Sequence, residues 1–347
     1  MSIRTAGLWA LILTVAAGCA GHPKVTLVRY GDRHRLVRDG KPLQIKGAGG
    51  DASLRLLADI GGNAVRTWGA DRLDTVLDEA HRHGLGVAAG IWLGHERHGF
   101  RYTDPDQVAK QQETALEIVR RYKDHPALLV WSLGNEMEGE GSNAAVWLAV
   151  NSLAAQLKKL DPNHPTMTVI AEVGGQKVRN LHRLCPDIDI VGINAYGGAA
   201  SVAERYAAAG GTKPFILTEF GPPGMWETQK TAWGAPIEMS STAKADWYRR
   251  AWQSAAASPL CLGGFAFAWG HKQEATATWF GMLLPDDSRL AAVDAMTEAW
   301  TGKPAVNRCP AIASLTAEPA GEVEPGSSLR FRLQVTDPEG DPLTVRW

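Results

Sequence analysis

The chain has 347 residues, with 36 lysines and arginines against 37 aspartates and glutamates, and 45% of its residues are hydrophobic. This hydrophobic fraction excludes a largely disordered chain. The net charge of −1 leaves no basic excess to bind a phosphate backbone, which argues against nucleic-acid binding. Thirteen tryptophans are many for this length and suggest flat apolar ligands such as sugar faces.

Residues 1–18 are typical of a secretory signal peptide. Arg4 precedes an apolar run at 8–15 that is too short to span a bilayer, and small residues follow it. Cys19, directly after Ala17-Gly18, resembles the lipobox of bacterial lipoproteins. The resemblance implies a secreted protein that is lipid-anchored to a bacterial membrane, in the cell envelope, through Cys19. The alternative is an ordinary signal peptide with an incidental cysteine.

Strand-like and helical stretches alternate after this segment. A hairpin is predicted where 25–28 and 34–37 flank Gly31-Asp32. Eight apolar runs then predict strands at 43–47, 63–68, 86–92, 128–133, 166–170, 188–193, 215–218 and 262–269. Helical spacing with start signals predicts helices at 72–83 after Asp71, 106–122 after Asp104-Pro105, 144–160, and 242–256 after Ser241.

Eight strands separated by helices over residues 19–303 predict an α/β fold, a (β/α)₈ TIM barrel, whose usual size is about 250 residues. The alternative is an open doubly wound sheet, which normally carries a glycine-rich phosphate turn after its first strand. The stretch at 47–50 lacks the last spaced glycine of that motif. The barrel is therefore favoured.

The composition changes near Cys309, and residues 304–347 predict the start of a β-sandwich module of the immunoglobulin or cadherin type. Residues 329–335 alternate as a half-buried strand does, and an acidic turn follows at 337–342. That turn is read as a turn rather than a calcium site. The later cysteines Cys185, Cys261 and Cys309 allow at most one disulfide, and the sequence leaves the pair open.

Candidate site residues lie where barrel strands end, because barrel enzymes work at the carboxyl ends of their strands. Glu136 and Glu219 are two such carboxylates, and they should point into one mouth. Paired carboxylates suit glycoside hydrolysis, in which one protonates the leaving oxygen and the other attacks the sugar. Other polar and aromatic residues at strand ends are Arg66, Trp68, Trp92, His95, Asn135, Asn194, Tyr196 and Trp269.

Three of these strand ends resemble strands four, seven and eight of the clan A glycoside hydrolases, with families 2 and 5 nearest. The segments are Trp131-Ser132-Leu133-Gly134-Asn135-Glu136, Leu217-Thr218-Glu219-Phe220-Gly221 and Gly263-Gly264-Phe265-Ala266-Phe267-Ala268-Trp269. Ala64-Val65-Arg66-Thr67-Trp68 and Asn194-Ala195-Tyr196 are similar to strands two and six. The resemblance covers about residues 25–303.

The resemblance implies that Glu136 is the acid/base and Glu219 the nucleophile of a retaining enzyme acting on a β-linked glycan. It also implies that Asn135 binds the sugar 2-hydroxyl and that Arg66 and Tyr196 orient Glu219. Trp269 would be a sugar platform. By their positions at strand ends, Trp68, Trp92, His95 and Asn194 are further candidates for substrate binding, although the two tryptophans could instead pack in the core or in loops. No cofactor or metal is expected. His95 and His98 are three residues apart, whereas the zincin helix needs histidines four apart.

Three alternatives stay open. The same site could transfer a β-glucan segment to a second sugar instead of to water. The barrel could also bind carbohydrate at a cell surface without catalysis, although such a protein would be expected to lack one carboxylate. Finally, the chain could be an anchored adhesion protein whose C-terminal β-module does the work.

Overall fold

The computed structural model describes residues 24–347. Its strands are β1 (Val25–Tyr30), β2 (Arg33–Arg38), β3 (Lys41–Leu43), β4 (Ile45–Gly50), β5 (Ala64–Arg66), β6 (Gly86–Ile91), β7 (Leu128–Asn135), β8 (Thr166–Ala171), β9 (Ile190–Ala195), β10 (Phe215–Phe220), β11 (Cys261–Trp269), β12 (Ala311–Glu318) and β13 (Arg330–Thr336). Its helices are α1 (Leu54–Asp59), α2 (Leu73–Arg82), α3 (Pro105–Tyr122), α4 (Ala144–Leu160), α5 (Lys177–Leu184), α6 (Val202–Ala208), α7 (Ser241–Ala257) and α8 (Ala291–Thr301).

Strands β4 to β11 close into a parallel barrel, which confirms the predicted TIM barrel and its eight strands. Seven strands lie where the apolar runs predict them. The first run, 43–47, is wrong in extent, because Leu43 ends β3 of a separate sheet and the barrel strand begins at Ile45. Strands that are buried on both faces are continuous apolar runs in the sequence, which explains why such runs predict their positions.

The predicted hairpin is confirmed and gains a third strand, since β1, β2 and β3 form an antiparallel sheet. Val25 and Leu36 are buried in one cluster with Ile45, Ile190 and other residues near the starts of the barrel strands. The sheet therefore covers the amino-terminal end of the barrel, opposite the end where the strands lead into their loops.

The helices form the outer layer, and their start signals vary in accuracy. Asp104 caps α3 by accepting hydrogen bonds from the backbone amides of residues 106 and 107, as predicted. The predicted cap Asp71 is wrong, because α2 begins at Leu73 after Arg72, without a side-chain cap. Ser240, not Ser241, caps α7. These differences shift boundaries by one residue and leave the buried faces unchanged.

The C-terminal residues form the antiparallel pair β12 and β13, consistent with the predicted start of a β-sandwich. Two backbone amides attach this segment to the barrel: Cys309 donates to Asp294, and Ile312 donates to Thr242 at the start of α7. Cys185, Cys261 and Cys309 are all unpaired. Over residues 24–347, no helix is both long and apolar enough to span a bilayer.

Candidate active site

The carboxyl ends of the barrel strands surround a cleft of about 1030 Å³. This is near the upper limit of roughly 300–1,000 Å³ for pockets that hold drug-sized ligands. The predicted site residues that line it are Arg66, Trp68, Trp92, Asn135, Glu136, Asn194, Tyr196, Glu219 and Trp269. The closed barrel brings Glu136 and Glu219 into one cavity although 83 residues separate them in the chain (219 − 136).

Glu219 accepts hydrogen bonds from three side chains of neighbouring strand ends. The Arg66 guanidinium donates to Oε1 at 2.9 Å, and the indole Nε1 of Trp68 donates to the same oxygen at 2.8 Å. The Tyr196 hydroxyl donates to Oε2 at 2.5 Å. Three donors, one of them cationic, stabilise the charged form of a carboxylate and fix its orientation. The three contacts thus fix the orientation of the Glu219 carboxylate.

Glu136 is joined to Glu219 through two asparagines. Asn194 donates from Nδ2 to Glu136 Oε1 at 2.7 Å and to Asn135 Oδ1 at 3.1 Å. Asn135 Oδ1 also accepts from the second guanidinium nitrogen of Arg66 at 2.7 Å. The network therefore links Glu136, Asn194, Asn135, Arg66 and Glu219. The amide oxygen of Asn194 accepts from the Thr218 hydroxyl at 2.7 Å, which assigns the direction of that amide.

The backbone around Glu136 is irregular. Gly134 has φ +71°, and Glu136 has φ +52°, a left-handed conformation that a glutamate rarely adopts. The pairing of β7 with β8 shifts register between Ser132 and Asn135, and that of β9 with β10 shifts between Leu217 and Glu219. Such irregularities redirect side chains next to active sites and store strain there. Glu136 and Glu219 each lie at such an irregularity.

The two carboxylates lie in different electrostatic environments. Burial raises the pKa of Glu136, and the nearby Glu219 charge adds to this, while the Asn194 hydrogen bond and the Arg66 charge oppose it. Burial and the Glu219 charge also raise the pKa of Tyr196 well above 10, so its phenol stays a donor. A carboxyl whose pKa is raised, beside an ion-paired carboxylate, is the arrangement expected of an acid and a nucleophile.

Trp92 and His95 form a stacked pair at the rim, with ring centroids 4.9 Å apart and planes inclined by 22°. Trp92 lines the cleft and is 51% exposed, whereas His95 is buried and does not line it. The predicted direct contact of His95 with substrate is therefore wrong, because the imidazole stacks on Trp92 and does not line the cleft. Burial lowers the pKa of His95, which favours the neutral ring.

The structure also contradicts the role predicted for Trp269. Its side chain is fully buried in the main hydrophobic core, and its indole Nε1 donates to the Ser53 carbonyl at 3.1 Å. Although Trp269 borders the cleft, its completely buried ring has no exposed face for a sugar, so the predicted platform is wrong. The apolar run that ends at Trp269 carries it into the layer between β11 and the turn before α1.

We expect Trp269→Ala to lower the free energy of unfolding by roughly 3–5 kcal/mol, the usual cost of replacing a buried tryptophan by alanine. Urea denaturation measures this directly. Trp233→Ala is the matched control, because that ring is 74% exposed, and it should change stability by no more than about 0.5 kcal/mol. A Trp269→Ala protein with native stability but impaired substrate binding would instead indicate that the Trp269 ring contacts the substrate in the cleft.

Several cleft residues were not among the predicted site residues. Glu172 directly follows β8, so the strand-end rule applied to that strand would have found it; it pairs with Arg205 at 2.5 Å. Trp226 lies in the loop after β10, where periodicity gives no signal. Phe267 and Lys272 also line the cleft, and the Lys272 ammonium lies 5.1 Å above the Phe267 ring.

Glu138, two residues after Glu136, is a buried carboxyl outside the cleft lining. It accepts the Ala171 amide at 2.8 Å and lies 3.6 Å from the Lys177 ammonium. Burial raises the pKa of Glu138 to about 7, although the Ala171 hydrogen bond and the Lys177 charge oppose the rise. The folded protein therefore binds this proton more tightly than the unfolded chain does.

This raised pKa predicts a pH-dependent stability. The contribution of Glu138 is complete below its unfolded pKa of 4.5 and is lost as the pH rises through about 7. The two values imply a loss of roughly 3 kcal/mol. We expect the difference in unfolding free energy between pH 5 and pH 8 to shrink in Glu138→Gln and to persist in Glu140→Gln, an exposed neighbour. An unchanged difference in Glu138→Gln would contradict the assignment.

Residues 70–233 match the family model described as glycosyl hydrolases family 2, TIM barrel domain. This match agrees with the closed barrel and with the hydrogen-bond network that joins Glu136 and Glu219. Residues 70–233 therefore resemble the barrel domain of a clan A glycoside hydrolase family. The matched part begins before α2 and ends in the loop after β10, so it contains Glu136, Asn194, Tyr196 and Glu219.

Parts of the chain are similar to curated glycosidases. The chain is 29% identical over 199 residues to mannan endo-1,4-beta-mannosidase F of Aspergillus clavatus, covering 44% of this chain and 44% of the relative. It is 28% identical over 160 residues to the beta-glucuronidase of Pongo abelii, covering 44% of this chain and 23% of the relative. The match thus spans less than half the length of these relatives.

Solved structures share the fold. A beta-glucuronidase from an uncultured Clostridium species superimposes with a TM-score of 0.64 at 19% identity, covering 81% of this chain and 54% of that one. A family 2 beta-galacturonidase from Eisenbergiella tayi, bound to galacturonate, gives 0.62 at 16% identity and covers 81% and 54%. At these identities the likeness concerns the barrel alone.

Proposed function

We propose that this protein is a retaining glycoside hydrolase that cleaves O-glycosidic bonds of a β-linked glycan. The observation that carries the proposal is the contrast between two carboxyl groups in one cleft. Glu219 is oriented by hydrogen bonds from Arg66, Trp68 and Tyr196. Burial raises the pKa of Glu136. The names of the curated relatives, a beta-mannosidase and a beta-glucuronidase, support β-linked substrates.

The proposed first step forms a covalent glycosyl-enzyme. A carboxylate oxygen of Glu219 attacks the anomeric carbon, the bond from that carbon to the leaving oxygen breaks, and Glu136 gives its proton to that oxygen. In the second step Glu136 takes a proton from water, whose oxygen attacks the same carbon and releases Glu219. The configuration is inverted twice and therefore retained. Asn135, held by Arg66, is placed to bind a substrate hydroxyl.

The same covalent intermediate would serve a transglycosylase, in which a sugar hydroxyl replaces water in the second step. The choice depends on how acceptor sites compete with water, and the active carboxylates are the same. A purely carbohydrate-binding role gives no reason to place a carboxyl of raised pKa beside a carboxylate that is ion-paired with Arg66. We therefore place hydrolysis first and transfer second.

The test is a screen of the purified protein against aryl β-glycosides and soluble β-glucans, β-mannans and β-galactans. We expect release of products whose first-formed anomer, followed by NMR, is β. Incubation with a 2-deoxy-2-fluoro glycoside should add one sugar mass to the peptide that contains Glu219. An α first-formed anomer would overturn the retaining mechanism. No turnover of any β-glycoside together with no covalent adduct would overturn the function.

We also propose that the protein is lipid-anchored through Cys19, which lies outside the described residues. The support is the sequence alone, in which a short apolar run and small residues precede the cysteine. Cys19→Ser should move the protein from the membrane fraction to the soluble fraction and leave its melting temperature unchanged. Cys309→Ser, the control, should stay with the membranes. A Cys19→Ser protein that still pelleted and resisted salt extraction would contradict the anchor.

A further inference from the structure

The cleft has an exposed indole on each of two opposite sides. Trp92 directly follows β6, and Trp226 lies six residues after β10 ends. In the closed order of the barrel these two strands are four positions apart, which is the greatest separation that eight strands allow. Trp92 is 51% exposed, Trp226 is 62% exposed, and both line the cleft.

Each indole is supported from behind. The His95 ring stacks on Trp92, and the Trp226 ring lies so close to Gly224 that a Cβ there would be 2.4 Å from it. The edge of Tyr196 also contacts Trp226, with centroids 5.8 Å apart and planes at 87°. A ring with one face supported and the other open is a rigid surface for the apolar face of a sugar, and presenting it to solvent has a cost that a ligand recovers.

The two rings lie on different sides of the reacting groups. Trp226 packs on Tyr196, whose hydroxyl donates to the proposed nucleophile Glu219. Trp92 follows β6, which lies beside β7, and β7 ends directly before the proposed acid Glu136. Since the acid faces the leaving group, Trp92 belongs to the leaving-group side and Trp226 to the side of the sugar that is attacked.

The charge of the cleft argues against acidic sugars. Eight carboxyl side chains line it against three lysine or arginine side chains. Two of those three cations are already paired, Arg66 with Glu219 and Lys272 with Glu274. Glu172 pairs with Arg205 outside the lining, and Glu136 is the proposed acid. Four carboxyl side chains still remain against the single cation Arg72. The surplus negative charge repels a polyuronide and does not affect a neutral chain.

We propose that the cleft binds a neutral polysaccharide chain on both sides of the bond to be cut, with Trp226 and Trp92 as the two sugar platforms, and that cleavage is internal. This inference rests on the proposed glycosidase function and names its substrate class. A site that removes single terminal sugars needs no platform beyond the attacked sugar. An internally cutting cleft needs one on each side of the bond, and Trp226 and Trp92 are exposed on the two sides.

The first experiment follows cleavage of the best neutral polymer from the screen. We expect its viscosity to fall much earlier than its reducing ends rise, and the first products to be oligosaccharides. Release of monosaccharide alone, with viscosity falling in proportion, would overturn internal cleavage. Faster cleavage of a polyuronide, or of an aryl β-uronide, than of the neutral equivalents would overturn the neutral class. Either result would leave the glycosidase function intact.

The second experiment assigns the platforms. Trp92→Ala and Trp226→Ala should each lower kcat/KM on a hexasaccharide on the order of tenfold, and lower it less on an aryl monoglycoside. With reducing-end-labelled oligosaccharides, the two variants should shift the cut position in opposite directions, because each loses a subsite on a different side. A merely structural role would not shift it. Trp233→Ala, an exposed tryptophan outside the cleft lining, is the control and should not change either measurement.

Binding tests the platforms independently of catalysis. In affinity electrophoresis through a gel that contains neutral β-glucan or β-mannan, the native protein should be retarded. Trp92→Ala and Trp226→Ala should each weaken that retardation several-fold, and Trp233→Ala should not. Equal retardation of all four proteins, or loss of retardation only with Trp233→Ala, would overturn the platform assignment even for a protein without measurable turnover.

Discussion

Glu219→Gln should abolish glycoside cleavage, with a loss on the order of 10⁴-fold or more, as is usual when the nucleophile of a covalent mechanism is removed. The amide cannot form the ester with the anomeric carbon, and no other carboxylate of the network carries the same three donors. The measurement is kcat on an activated aryl β-glycoside, for which leaving-group protonation is not limiting.

The control for this variant has to separate chemistry from folding. Glu219→Gln leaves the buried Arg66 guanidinium without its counter-charge, and breaking a buried pair costs about 3–5 kcal/mol. Circular dichroism melts and retained binding of the neutral polymer should therefore accompany the kinetics. Glu172→Gln, which changes another carboxylate of the same cleft, should keep activity within tenfold. Residual turnover of a well-folded Glu219→Gln protein within tenfold of the native value would refute the nucleophile assignment.

Glu136→Ala should slow cleavage of substrates with poor leaving groups by roughly 10²–10⁴-fold, the usual contribution of a general acid. It should spare the first step with an activated leaving group such as dinitrophenolate, so that the glycosyl-enzyme accumulates. Added azide, which needs no general base, should then restore turnover and give a β-glycosyl azide. Product configuration by NMR is the measurement.

The pH profile gives a second test of Glu136. Its carboxyl has to be protonated to donate, so kcat/KM on a poor leaving group should fall as the pH rises through its raised pKa. In Glu136→Ala this alkaline limb should disappear. If Glu219→Ala instead formed the β-glycosyl azide, the roles of the two glutamates would be exchanged. If the alkaline limb were unchanged in Glu136→Ala, Glu136 would not be the acid.

The sequence predicts the barrel well because buried parallel strands are short apolar runs bounded by turns. The strand-end rule then brings Arg66, Asn135, Asn194 and Glu219 together, since a closed barrel leaves few places for the residue after a strand. The boundary at 43–47 was harder, because Pro42 and Leu43 belong to an antiparallel sheet whose pairing is set by Leu36 on another strand. Local pattern does not show which sheet a strand joins.

Side-chain direction was the part that the sequence could not supply. Trp269 and Trp92 both follow apolar strands, yet one indole is buried and the other is half exposed. The pairing of β11 with β4 shifts register between Phe267 and Trp269, and such a shift depends on contacts with a neighbouring strand. Glu138 was missed for a related reason, because its burial results from contacts with Ala171 and Lys177 on other elements.

The three-stranded sheet at the amino-terminal end of the barrel also determines the end of the barrel at which an upstream attachment would lie. Lys24 immediately precedes β1, and the Val25 amide donates to the Asn163 carbonyl at 2.9 Å, in the turn that leads into the start of β8. Anything joined upstream of Lys24 is therefore tethered to the floor of the barrel. The cleft opens on the far side, so a tethered molecule would face outward and could meet polymers too large to slip between the protein and its support.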